Sequence, residues 1–93
     1  MYKVSKIITI ENYTIVCQLN TGIKKKIEVL PLIENHAQLN GINQLKDTSI
    51  FNNAAVGLMG EIYWENLITS KSNEKWNYDI SPEYIYNNGK TID

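Results

Sequence analysis

A chain of 93 residues, 43% apolar and 20% charged, holds enough material for one modest hydrophobic core and is too apolar for a disordered segment. Its net charge of −1 comes from nine Lys, no Arg and ten acidic residues, which argues against a protein built to grip phosphates, because Arg is the side chain that reads phosphate and guanine bidentately. A single cysteine excludes an internal disulfide, and no apolar run approaches the ~20 residues of a membrane-spanning helix.

Residues 2 to 10 are rich in β-branched types, with Val4, Ile8 and Ile10 on one parity and Ile7 on the other, and are expected to form a strand. Glu11-Asn12 offers a turn in which Asn can take left-handed backbone angles. Tyr13, Ile15, Cys17 and Leu19 then alternate with Thr14, Val16, Gln18 and Asn20, the cleanest period-two pattern in the chain. Asn20-Thr21-Gly22 reads as a hairpin loop with Gly22 at positive φ. The returning strand places Ile23, Ile27 and Val29 on one face and Lys24, Lys26 and Glu28 on the other. Lys25 breaks the apolar register, and is expected near a sheet edge or with its head group extended to water. These three strands make an antiparallel meander.

Pro31 stops the ladder because it cannot donate. Leu32, Ile33, Leu39, Ile42 and Leu45 follow with loose helical spacing, and Asn40-Gly41 divides them into two short helical turns, the second closed by Asp47-Thr48-Ser49. Ala54–Met59 and Glu61–Glu65 are expected to form a second hairpin pivoting on Gly60, with Ile62 and Trp64 on a common face. Residues 66–77 read as an exposed loop flanked by Leu67, Ile68, Trp76 and Tyr78, arms that can extend into further strand. Ser81-Pro82-Glu83 is a helix start: Ser81 caps, Pro82 suits the first helical position and Glu83 the positive dipole end, while Gly89 ends the helix. The fold expected is therefore α+β: one domain over residues 1–93, with a small antiparallel or mixed sheet of about five strands and short helices that include a C-terminal one.

The order of these signals resembles the small bacterial proteins of the domain of unknown function 2442 family, over roughly residues 10–89. The positions that carry the resemblance are Gly22, Glu28, Leu45, Asp47, Phe51, Ile62, Trp64, Asp79, Ile80, Pro82, Glu83, Ile85 and Tyr86. Asn20-Thr21-Gly22 replaces the family's usual Asp-Gly turn, and the gap from Trp64 to Asp79 is longer than in typical members. The resemblance implies a compact α+β domain with no established activity, found alone or joined to a helix-turn-helix domain. It also implies a habit of being encoded beside another small protein, similar to toxin–antitoxin pairs. No DNA-binding module is expected in this chain.

The side chains able to do chemistry are scattered. His36 lies beside Glu34 and Asn35 with no Ser-His-Asp or Cys-His arrangement nearby, and is expected at a surface or a helix end. Structural zinc needs roughly four Cys or His ligands, and the chain has two such residues. Asp47 is expected to accept backbone amides at a turn and Asp79 to support the start of the last helix. Cys17 reads as a small buried hydrophobe, and no glycine spacing matches a phosphate loop. Lys24-Lys25-Lys26 reads as a solvated edge that resists sheet-to-sheet pairing. Among the aromatics, Trp64 and Tyr86 are expected in the core, whereas Trp76 and Tyr78 are the candidates for partner contact.

The functional expectation is a non-enzymatic interaction or regulatory module without metal or cofactor. By the resemblance it is the antitoxin-like member of a two-gene system. The alternatives are a nucleic-acid-associated regulator or a small enzyme using Asp47, Asp79 or His36. A neighbouring gene's product or a second copy of the chain are the partners considered, nucleic acid is disfavoured, and no membrane is involved. Because Met1–Ile7 lacks a secretory leader's apolar core and cleavage site, a cytoplasmic location is expected.

Overall fold

A computed structural model of the chain describes residues 1–92. It is α+β. In chain order the elements are β1 (Val4–Glu11), β2 (Thr14–Leu19), β3 (Lys24–Glu28), α1 (Leu30–Asn35), a 3-10 turn (Ile42–Lys46), α2 (Thr48–Phe51), β4 (Ala55–Val56), β5 (Ile62–Thr69), β6 (Lys75–Ile80), α3 (Pro82–Asn88) and β7 (Lys90–Ile92). The seven strands form two antiparallel sheets, one ordered β1-β2-β3-β7 and the other β4-β5-β6, where about five strands were expected.

The meander forms as the alternation dictates. Ile15, Cys17 and Leu19 are buried on β2, and Ile27 and Val29 face the same core. Gly22 takes φ +91° at the hairpin, and Asn12 and Tyr13 both have positive φ at the β1–β2 turn. β1 departs from strict alternation. Register shifts between Val4 and Lys6 and between Ile7 and Thr9 each insert an extra residue, so Val4, Ile7 and Ile10 face inward at a spacing of three. Ile8, expected to share a face with Val4 and Ile10, therefore points to solvent.

Lys25 is the largest correction in this half. The sheet does not end at β3, because β7 pairs with it through Lys24–Ile92, Lys25–Thr91 and Lys26–Lys90. Lys25 is consequently buried, at 7% exposure. Its ammonium donates to Thr91 Oγ1 at 2.7 Å and Gly89 O at 3.4 Å, and lies 4.9 Å from the centre of the Tyr86 ring. Neutral oxygens and a π face thus replace the water an edge lysine would have kept. Gly89 ends α3 as expected, but in extended conformation (φ −74°, ψ 153°), which feeds the chain straight into β7.

Pro31 both stops β3 and occupies the first turn of α1. At the Asn40-Gly41 break, Gly41 has φ +110°, and a Cβ there would lie 2.2 Å from Leu67 O, so the loop requires glycine. Asp47 closes the 3-10 turn through its backbone N–H to Gln44 O (3.0 Å) and also opens a further helix, α2, by accepting from Ser49 N at 2.9 Å and Ser49 Oγ at 2.7 Å.

In the second sheet, β4 is only two residues long, because Gly57-Leu58-Met59-Gly60 forms a turn rather than strand. Gly57 N donates to Glu61 O at 2.8 Å, and the Glu61 carboxylate accepts from Met59 N at 3.1 Å. Gly60 (φ +79°) packs where a Cβ would meet the Lys3 backbone and stem, and its carbonyl accepts from Val4 N at 2.9 Å, tying the two sheets together.

Residues 66–77 prove to be mostly strand. β5 runs to Thr69 and β6 begins at Lys75, leaving Ser70–Glu74 as the turn. The pairing passes from Trp64–Tyr78 to Ile68–Trp76, so β5 spends four residues against two. Asn66, at φ 52°, makes that bulge, and its N–H donates to Asn77 Oδ1 at 3.0 Å. The bulge hides the alternation from a period-two reading.

One continuous core joins the sheets. Its centre is aromatic. Tyr13 meets Phe51 edge-on at 5.5 Å, Phe51 lies 5.5 Å from Trp64, Trp64 6.0 Å from Tyr78, and Tyr78 5.8 Å from His36. Trp64 Nε1 donates to Phe51 O at 2.9 Å, and the Tyr13 hydroxyl donates to Lys46 O, so both of these polar atoms are satisfied.

Candidate functional site

The chemistry-bearing residues that the fold does gather lie where α1 ends against β6 and the start of α3. His36 occupies the C-terminal cap of α1, its N–H bonded to Leu32 O at 3.0 Å. Tyr78 sits on the inward face of β6, with its hydroxyl 2.7 Å from His36 Nδ1. Beside them Asp79, Ser81 and Tyr84 line an open cleft of about 440 Å³ floored by Leu32 and Ile80.

Burial pushes the Tyr78 phenol up to about 12, with smaller contributions from Tyr84 and Asp79. The hydroxyl therefore keeps its proton and shares a hydrogen bond with His36 Nδ1 whose direction is set by the imidazole tautomer. Ser81 Oγ accepts from Tyr84 N at 3.1 Å, the helix cap expected of it. Asp79 makes no side-chain hydrogen bond among the described residues. It sits opposite Tyr63 on the outward face of β6, so the support for α3 expected of it comes from Ser81 instead.

The other expected positions separate. Asp47 belongs to its own turn, and hydrogen bonds from the Ser49 hydroxyl and amide hold its carboxyl below the usual range. Phe51, Trp64 and Pro82 are buried. Tyr86 is half-buried, stacked on Tyr2 at 4.0 Å and under Lys25, rather than central to the core. Trp76 stands 57% exposed on the β5–β6 arm, but Tyr78 is 7% exposed. Tyr78 is thus a core residue and not a contact residue: the β5 bulge keeps it paired with Trp64 inside, while Trp76 projects past the core. Cys17 is buried, and desolvation raises its thiol to about 11. Among the described residues no three His, Cys, Asp or Glu side chains are grouped to hold a metal ion.

Two features escaped the sequence reading. Leu58 is fully exposed and Met59 66% exposed at the β4–β5 turn. The cleft beside His36 also continues, through shared Asp79 and Ser81, into a second of about 270 Å³ against Met1, Tyr2 and Met59. Shared Met59 and Glu61 carry that into a third of about 500 Å³ that reaches Glu65. The signal was present in the strand pattern: Glu61, Tyr63 and Glu65 alternate with buried Ile62 and Trp64, and Asn77 and Asp79 with Tyr78 and Ile80. Comparison of the chain with family models, curated proteins and solved structures finds no match.

Proposed function

We propose that the protein is a non-enzymatic protein-interaction module, the regulatory and antitoxin-like member of a two-protein system. The observation that carries this reading is the exposure of Leu58, Met59 and Trp76, large apolar side chains on one small sheet and its turn that gain nothing from contact with water. Trp and Met are enriched in the centres of protein interfaces, where each buries a large area. The resemblance to the domain of unknown function 2442 family supports the two-protein arrangement.

Co-expression with the product of the adjacent gene tests the proposal. The expected result is a complex that survives size exclusion and weakens on Trp76→Ala or Leu58→Ser. Two separate species at micromolar concentration would sink it.

A second reading, a small enzyme, has one observation in its favour: His36, Asp79 and Ser81 line one cleft. It is opposed by the engagement of His36 Nδ1 with Tyr78, by the use of Ser81 Oγ as a helix cap, and by the engagement of Asp47 with Ser49 in its own turn outside the cleft's lining. Nuclear magnetic resonance titration of His36 decides between them. A proton found on Nδ1, which leaves Nε2 free as a base, would favour the enzyme.

A further inference from the structure

We infer that the outward face of the three-stranded sheet is a docking surface for a cationic, aliphatic segment of a partner protein, one in which Lys or Arg stands next to Leu- or Ile-type side chains. The inference deepens the proposed function and rests on it.

Two open clefts that share Met59 and Glu61 run beneath the exposed Leu58-Met59 turn, the larger beside Tyr63, Glu65 and Asn77 of the outward face; the cleft beside His36 adjoins them at the β6 edge through Asp79 and Ser81. Every charged side chain that lines them is negative: Glu61 and Glu65 from β5 and the turn before it, Asp79 from β6 and Glu83 from α3; the Met1 α-ammonium at the second cleft is the cation beside them. No lysine lines any of the three, although the chain has nine. The Lys3 stem packs behind Gly60, and Lys75, on the same side of β6 as Asn77 and Asp79, donates to Thr69 Oγ1 at 2.7 Å. Glu61 accepts one backbone N–H, and among the described residues Glu65, Asp79 and Glu83 have no hydrogen-bond or ion-pair partner in their side chains. Glu65 and Asp79 are thus without a bonded partner on this face, beside the uncovered Leu58 and Met59.

That pairing selects the occupant. A nucleic-acid backbone would meet only like charge. A purely apolar segment would leave the carboxylates to be stripped of water without compensation. A segment carrying both cations and aliphatic groups satisfies both, with charge steering the encounter and apolar contact holding it. A second copy of the chain could offer Lys24, Lys26 and Lys90 from its four-stranded sheet. That contact joins two different faces, however, so it propagates into open chains rather than closing as a twofold dimer.

The test uses the intact protein and the fluorescent peptide Lys-Leu-Lys-Leu-Lys, with Glu-Leu-Glu-Leu-Glu as its control. Anisotropy should show binding of the first alone, weakening as ionic strength rises. Association should slow about tenfold in Glu61→Gln/Glu65→Gln/Asp79→Asn, reflecting lost steering. Leu58→Ser/Met59→Ser should release the peptide faster, and Lys24→Glu/Lys26→Glu should leave binding unchanged. Equal binding of both peptides, or none, overturns the inference, as does a neutralised variant that binds like the original. Solution mass that grows with concentration and reverts in Lys24→Glu/Lys26→Glu overturns it in favour of self-assembly. A complex with the neighbouring gene's product that persists undiminished in the neutralised variant refutes this face alone. Absence of that complex with the original protein refutes the module reading itself.

Discussion

The two sheets differ on both of their faces. The four-stranded sheet turns Ile15, Cys17, Leu19 and Ile27 inward and carries Lys24, Lys26 and Lys90 outward, with Glu28 beside them. The three-stranded sheet turns Trp64 and Tyr78 inward and carries Glu61, Glu65 and Asp79 outward. A net charge of −1 therefore conceals an uneven surface, with lysines beside Glu28 lining a cleft on one sheet and carboxylates lining one on the other, where Lys75 stands apart at the far end of β6. The contrast shows why whole-chain composition is a weak guide to partners: what a surface attracts depends on which strands share it. The inward contrast has a separate consequence. An aliphatic layer tolerates small volume changes, whereas an aromatic column with hydrogen-bonded ring atoms does not.

The largest effect should come from breaking the aromatic side. Trp64→Ala removes a fully buried indole and strands Phe51 O, which should cost about 3–5 kcal/mol. Ile15→Val on the aliphatic sheet should cost about 1 kcal/mol. Urea unfolding followed by circular dichroism measures both. Equal costs would remove the distinction between the two inner layers.

Lys25 tests the join between β3 and β7. Lys25→Ala loses the bonds to Thr91 and Gly89 and the stem packed on Tyr86, and should cost about 2 kcal/mol. Lys25→Met keeps the stem and avoids burying a charge, so it should fall within about 1 kcal/mol of the original. If both variants cost the same, the ammonium rather than the packing holds β7 in place.

Two pH effects are smaller and opposite in sign. The Asp47 carboxyl is held down in the folded state, so its contribution is present above the ordinary carboxylate range and is lost as pH falls through the lowered value. Asp47→Asn should flatten the acid limb of a stability–pH curve. The Cys17 thiol is raised from 9.0 to about 11, so the unfolded chain ionises first and stability declines as pH climbs from 9.0 toward about 11. Cys17→Ala should remove that part of the alkaline slope. At neutral pH the native thiol should react with a disulfide reagent only as fast as the fold opens.

Much of the architecture was legible because it is written between neighbours. Alternation at Ile15, Cys17 and Leu19 set the inward face of β2, Ser81-Pro82 set the start of α3, and Asp47 found its amide two residues away. Each signal acts within one turn or one strand pitch, where chain connectivity already holds the groups together. Two irregularities blurred the same code. The β1 bulges moved Ile8 outward, and left-handed Asn66 disguised β5 and β6 as a loop.

By itself, then, the sequence determined the α+β class, the meander and the capped C-terminal helix. Only tertiary structure decided that Lys25 is covered by Thr91, 66 positions away, and that His36 holds Tyr78, 42 positions away, in the core. The same is true of Glu61, Asp79 and Glu83, which line one cleft. The physical reason is that such meetings depend on which sheet edge the last strand reaches and how two sheets pack. Those choices are settled by the free energy of the whole core rather than by any local run of residues.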